Sequence, residues 1–78
     1  MGLHQPFMNH PIRWGILGTG QIARQFAAGL KSLPDAQLAA IGSRARESAL
    51  SFAGQFSVPR PHATYAGLVN DPEIDVVY

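Results

Sequence analysis

The chain has 78 residues, no cysteine and a formal net charge of +1, which leaves room for one small domain and excludes disulfides and cysteine-ligated zinc. Its basic residues form no aromatic-basic stripe, so no nucleic-acid or membrane partner is expected. No apolar run approaches the roughly 20 residues that a membrane span needs, and the N-terminus lacks the features of a secretory signal. We therefore expect a cytoplasmic protein with a flexible tail over residues 1–11.

Strands and helices are predicted to alternate after this tail. The predicted strands are Arg13–Leu17, Leu38–Gly42, His62–Thr64 and Ile74–Tyr78, and the predicted helices are about Gln21–Leu33, about Ala45–Phe56 and Tyr65–Val69. The β-α-β-α-β-α-β order predicts an α/β fold with a Rossmann-like doubly wound parallel sheet. Because the last strand is cut short, residues 12–78 are expected to form only part of a dinucleotide-binding domain.

The apolar residues of the two longer helices recur at three and four residues, which predicts one packing face on each helix. The first face comprises Ile22, Ala23, Phe26, Ala27, Leu30 and Leu33, and the second comprises Ala49, Leu50, Phe52, Ala53 and Phe56. Trp14 and the phenylalanines are expected in the core.

A Gly-x-Gly-x-x-Ala motif lies where the first strand passes into the first helix. Gly18 would allow the sharp turn, Gly20 the close approach of a pyrophosphate, and Ala23 the tight packing of helix on strand. The helix N-terminus would attract the phosphates, and Thr19 and Gln21 could add side-chain contacts. Two alternatives stay open, namely a turn that binds nothing and the similar turn of a methyltransferase. The absence of Gly-Lys-Ser/Thr disfavours a P-loop.

The segment after the second strand reads Gly42–Arg46 and carries no acid before Glu47. An acid at this place would hold the ribose hydroxyls of NAD and repel a 2′-phosphate. Ser43 can donate a hydrogen bond to that phosphate, and Arg44 can pair with it bidentately. The sequence therefore favours NADP over NAD. In the alternative interpretation Ser43 caps the second helix, and Arg44 and Arg46 are solvated surface charges.

The remaining polar and aromatic residues give weaker signals. The histidines have no metal-like spacing and are predicted to be ordinary surface residues: His4, His10 and His62. Tyr65 could border an adenine pocket, although packing is the simpler interpretation. An acidic loop comprises Asp71, Glu73 and Asp75. We expect this loop to be solvated and not catalytic, and to lie on the far side of the sheet from the glycine turn (residues 18–20). Neither a metal site nor a nucleophile–base constellation is predicted.

Taken together, five motifs resemble the start of the Gfo/Idh/MocA oxidoreductase family, nearest to the branch of glucose–fructose oxidoreductase and dihydrodiol dehydrogenase-like enzymes. They are Ile12–Ala23, Leu38–Arg44, Phe52–Pro59, Tyr65–Val69 and Asp71–Tyr78. The resemblance covers about residues 11–78. It implies a two-domain, homo-oligomeric parent enzyme that moves a hydride between NAD(P) and a hydroxyl carbon of a sugar, polyol or diol.

The resemblance also assigns site residues. Those implied to line the pyrophosphate are Gly18, Thr19, Gly20, Gln21 and Ile22, and those implied to meet the adenosine ribose and its 2′-phosphate are Ser43 and Arg44. Ser48 stands where the family often has a lysine, which weakens the preference for NADP unless Arg46 substitutes for it.

The family's Glu-Lys-Pro motif, with its catalytic lysine, and the substrate domain are expected beyond Tyr78. No catalytic residue is therefore assigned, and we expect no dehydrogenase activity from the 78-residue chain alone. The alternatives are a free-standing nucleotide-binding or interaction module and a fragment of an S-adenosylmethionine-dependent methyltransferase.

Overall fold

A computed structural model describes residues 10–78, so most of the predicted tail, with His4, lies outside the described part of the chain. The elements are β1 (Ile12–Leu17), α1 (Gln21–Leu30), β2 (Ala36–Gly42), α2 (Arg46–Phe56), β3 (Arg60–His62), α3 (Tyr65–Val69) and β4 (Val76–Val77). The strands form one parallel sheet in the order β3-β2-β1-β4. This order is that of a doubly wound Rossmann sheet, and it confirms the predicted α/β fold.

The pairing of β1 with β2 brings the ends of these two strands to the same point of the sheet edge. Their register runs from Ile12 opposite Ala36 to Leu17 opposite Gly42, with one irregularity after Trp14. Beyond the last pair, the backbone N–H of Gly18 donates to the carbonyl of Gly42 at 2.7 Å. The glycine turn and the segment after β2 are therefore direct neighbours.

The main core lies between the sheet and the two longer helices. Ile16 and Ile41 are fully buried near the carboxyl ends of β1 and β2. The helices cover them with Ala23, Ala27, Leu30, Phe52 and Ala53. Phe52 is fully buried, as predicted. Three other predicted aromatic core residues are partly buried against this cluster, namely Trp14, Phe26 and Phe56. Phe7 lies outside the described residues.

Helix α3 packs on the opposite face of the sheet, to which Gly15 and Gly42 belong because side chains alternate along a strand. Leu68 of this helix is fully buried. A Cβ atom added to Gly42 would lie 2.8 Å from the Cβ of Leu68, and one added to Gly15 would lie 2.9 Å from the Cδ1 of Ile74. Both glycines therefore allow the helix to approach the sheet closely.

Three residues predicted to lie on packing faces are exposed instead. Leu33 is half exposed because α1 ends at Leu30, and the N–H of Leu33 already bonds the carbonyl of Leu30 in a tight turn. Ile22 is exposed in the first turn of α1, beside the glycine turn. Leu50 is exposed because Ala49, Phe52 and Ala53 form the buried face of α2, and Leu50 lies outside that face of the helix.

Several predicted boundaries are also wrong by one to three residues. The third strand covers 60–62 instead of 62–64, because the Thr64 hydroxyl accepts a hydrogen bond from the N–H of Gly67 at 3.0 Å and caps α3. β4 is shorter than predicted, although Asp75 and Tyr78 still donate backbone hydrogen bonds to Arg13 and Gly15 of β1.

Candidate functional site

The glycine turn leaves the N-terminus of α1 open to an anion. Gly18 has φ of +97°, a left-handed conformation that side chains rarely adopt. Gly20 is the N-cap of α1 in extended conformation, and no side chain caps the helix there. A Cβ at either glycine would meet nothing within 4 Å. The first-turn N–H groups therefore have no capping side chain, and the backbone is bare where a phosphate would approach them.

Cavities lie on both sides of this turn. One of about 380 Å³ is lined by Leu17, Gly20, Ile22 and Tyr78 together with neighbouring turn residues. The predicted pyrophosphate residues therefore lie around this cavity, with the exception of Thr19. The exposure of Ile22, unexpected for a packing residue, is explained by its position on this rim.

Thr19 lines the second cavity, which has a volume of about 270 Å³. Its other lining residues are Arg24, Glu47, Ser48 and Ser51. This cavity lies between the turn and the first half of α2. The structure thus places Thr19 toward the first half of α2 and the rest of the predicted pyrophosphate set toward the first cavity.

Ser43 is held in place by the neighbouring strand. Its backbone N–H donates to the carbonyl of His62 at 3.0 Å, and its hydroxyl oxygen accepts a bond from the N–H of Ala45 at 3.2 Å. The residue is buried, and the N-cap of α2 is Ala45, so Ser43 does not cap that helix. Because the hydroxyl serves as an acceptor in this contact, its own proton can be donated to a ligand.

Arg44 is exposed next to Ser43, and its guanidinium lies 5.9 Å from the centre of the Tyr65 ring. Within residues 10–78 the ion pairs join carboxylates to Arg13, Arg60 and His62, and none involves Arg44. The structure therefore brings Ser43, Arg44 and Tyr65 together at the carboxyl edge of the sheet. Tyr65 keeps two-fifths of its surface exposed, so it is not a core residue.

Asp71 was expected to be solvated, and this expectation is wrong. Its carboxylate is fully buried, accepts a bond from Arg60 Nε at 2.7 Å and lies 2.7 Å from His62 Nε2. The hydrogen bond from Arg60 holds the pKa of Asp71 well below its usual range, and a backbone bond from Glu73 acts in the same direction. His62 is consequently a half-buried network residue and not an ordinary surface histidine. Arg60 and His62 share one face of a strand, which is the signal that could have indicated a common partner.

The other two acids of this loop are paired as well. Arg13 donates to both oxygens of Asp75, at 3.0 and 3.2 Å, and to Glu73 at 3.2 Å. These hydrogen bonds, together with one from the Arg13 backbone, lower the pKa of Asp75 to about 2. The network lies beside the start of β1, far from the glycine turn. It fastens the loop before β4 to the sheet, so its role is structural.

Acid should therefore destabilise the protein through these carboxylates. Their folded-state pKa values lie below the ordinary 3.8, so the stabilisation is present above about pH 4 and is lost as the pH falls toward the folded values. We expect Asp71→Asn to lower the free energy of unfolding at pH 7 by about 1.5–3 kcal/mol. The difference from wild type should shrink below about pH 4.

Urea unfolding across pH 2–7 checks this prediction. The matched control is Asp35→Asn, at an exposed aspartate, and this change should have little effect. A destabilisation by Asp71→Asn that stays constant down to pH 2 would contradict the assignment.

The described part of the chain offers neither a metal site nor a membrane span. No group of three His, Cys, Asp or Glu side chains among residues 10–78 could hold a metal ion. In the same part, no helix combines the length and apolar character needed to cross a membrane.

The parallel sheet with an open glycine turn at the start of α1 defines a dinucleotide-binding Rossmann fold. Residues 12–78 match the family described as "Oxidoreductase family, NAD-binding Rossmann fold". The chain thus belongs to the Gfo/Idh/MocA oxidoreductases, which confirms the resemblance seen in the sequence.

The relatives and the solved structure with similar sequence and fold are also oxidoreductases. The chain is 42% identical over 69 residues to a trans-1,2-dihydrobenzene-1,2-diol dehydrogenase of Danio rerio and 35% identical to that of Homo sapiens. Both matches cover 86% of this chain and 21% of the relative, so the chain spans about a fifth of the curated relatives' length. A 3-ketoreductase from Actinomadura kijaniata, solved with NADP and TDP-benzene, is 33% identical with a TM-score of 0.82, over 88% of this chain and 22% of that one.

Proposed function

We propose that this chain supplies the adenosine and pyrophosphate half of an NADP site in an oxidoreductase that acts on the CH–OH group of a sugar, polyol or diol. The observation that carries the proposal is the 2.7 Å hydrogen bond between Gly18 and Gly42. It places the bare helix N-terminus beside the Ser43–Arg44 pair. One ligand with a pyrophosphate and a 2′-phosphorylated ribose can therefore reach both.

The pyrophosphate would lie against the turn formed by Gly18, Thr19 and Gly20. The uncapped N–H groups of α1 and the absence of an acidic residue in its first turn favour an anion there. Gln21 and Ile22 would border the same ligand from the first turn. NADP, when bound, supplies the hydride chemistry at its nicotinamide, and these residues bind and orient it.

The 2′-phosphate would be bound by Ser43 and Arg44. A buried hydroxyl and a guanidinium without a carboxylate partner within residues 10–78 suit a dianion. An acid at this position would favour NAD, and the first acid on α2 is Glu47. The 3-ketoreductase of similar fold was solved with NADP, which also supports this cofactor.

The relatives support the proposed substrate class. The named relatives include dehydrogenases of a diol and a reductase of a ketone, and both reactions exchange a hydride at an oxygen-bearing carbon. We propose that the complete protein catalyses a reaction of this kind in the cytoplasm as a homo-oligomer, with its catalytic groups outside residues 10–78.

Arg44→Ala tests the cofactor assignment. We expect the change to weaken NADP binding by about tenfold or more, because it removes charge-assisted hydrogen bonds worth about 1.5–3 kcal/mol. NAD binding should stay the same. Calorimetric titration with both cofactors measures the effect.

Lys31→Ala is the control, since it removes an equal and exposed charge at the far end of α1. It should reduce NADP affinity by less than about threefold, through general electrostatics alone. Equal losses in the two variants would contradict a specific role for Arg44.

A further inference from the structure

We propose that Tyr65 is a positioning residue, whose ring holds the Arg44 guanidinium in place for the 2′-phosphate. This inference rests on the proposed NADP site and deepens it. The contact that suggests it is the 5.9 Å separation between the Arg44 guanidinium carbon and the centre of the Tyr65 ring. A guanidinium at this distance from an aromatic face is attracted by the ring quadrupole.

Both ends of this contact are anchored to the fold. The backbone before Arg44 is tied to β3 by the bond from Ser43 N–H to His62 O at 3.0 Å. Tyr65 is the first residue of α3. The Thr64 hydroxyl fixes the start of this helix by accepting a hydrogen bond from the N–H of Gly67 at 3.0 Å. The ring and the guanidinium therefore meet because two elements of the sheet edge bring them together.

The chemistry of the contact leaves Arg44 available to a ligand. Carboxylates occupy the donors of Arg13 and Arg60, whereas no ion pair within residues 10–78 involves Arg44. An aromatic face attracts the positive charge of the guanidinium but does not accept hydrogen bonds from its in-plane N–H groups. The planar set of N–H donors that matches a phosphate is therefore available to a ligand. Restricting the side chain before binding lowers the ordering cost that the ligand would otherwise meet.

Adenosine 2′,5′-bisphosphate and adenosine 5′-monophosphate are the probes, because they differ only in the 2′-phosphate. Tyr65→Leu should weaken the bisphosphate about two- to fivefold, the range expected for an exposed cation–π contact, and leave the monophosphate unchanged. Tyr65→Phe keeps the ring and should retain the affinity of the wild type. In an Arg44→Ala background, Tyr65→Leu should have no further effect. Circular dichroism checks that each variant folds.

The outcomes separate this inference from the proposed function. A wild-type chain that does not prefer the bisphosphate overturns the NADP assignment, and the inference with it. A preference that Arg44→Ala removes but Tyr65→Leu leaves intact overturns the inference alone. Two further outcomes overturn the inference. Equal losses of affinity for both probes in Tyr65→Leu would show a general packing role for the ring. Equal losses of affinity in Tyr65→Leu and Tyr65→Phe would show a role for the hydroxyl.

Discussion

Gly20→Ala should weaken dinucleotide binding by at least about tenfold while the protein stays folded. The new methyl group would project into the space where the pyrophosphate must approach the helix N-terminus. Within the protein it meets no atom within 4 Å, and the extended backbone at this position suits alanine. The free energy of unfolding should fall by no more than about 1 kcal/mol, the cost of a poorer N-cap. Calorimetry with NADP and urea unfolding measure the two quantities.

Gly29→Ala is the matched control for this variant. It adds the same methyl group to the same helix, again with nothing within 4 Å, but at the other end of α1. It should raise stability by about 0.5–1 kcal/mol and leave cofactor affinity unchanged. If Gly20→Ala binds as tightly as this control, the glycine turn does not receive the pyrophosphate.

Gly42→Ala should lower the free energy of unfolding by about 1–3 kcal/mol. Its Cβ would lie 2.8 Å from the Cβ of Leu68, which is fixed to the backbone of α3 and cannot rotate away. The helix itself would have to move from the sheet. Denaturant titration at neutral pH measures the loss.

Gly15→Ala provides the comparison on the neighbouring strand. The atoms nearest to its Cβ are the Cδ1 carbons of Ile74 and Leu68, at 2.9 and 3.0 Å. These are the far ends of flexible side chains, so they can shift at a smaller cost. A Gly15→Ala variant that loses as much stability as Gly42→Ala, or more, would contradict the view that contact with α3 is limiting at Gly42.

The sequence was most informative where local patterns determine structure. The apolar run of β1, the two glycines after it and the alternation of strands with helices are all local signals. They led to the correct fold. Because parallel strands end at the same sheet edge, the structure also brings Gly18 next to Gly42 and the segment after it.

Long-range contacts account for the wrong prediction at Asp71, whereas local turns account for the wrong ends of α1 and β3. Asp71 reads as a surface acid in a polar loop, and only the folded chain brings Arg60 and His62 to it. Ile22 fits the helical period, yet it is exposed and lines the cavity beside the glycine turn. The contact between Arg44 and Tyr65 spans 21 positions along the chain (65 − 44), and no periodicity reports on it.

The central claim is that this chain binds NADP in preference to NAD. Isothermal titration calorimetry of the chain with each cofactor tests this claim most directly. The account predicts that NADP binds at least about tenfold more tightly than NAD, as expected for a 2′-phosphate bound by charge-assisted hydrogen bonds. Equal affinities would contradict the assignment of Ser43 and Arg44. Failure of a folded chain to bind either cofactor would contradict the assignment of the glycine turn itself.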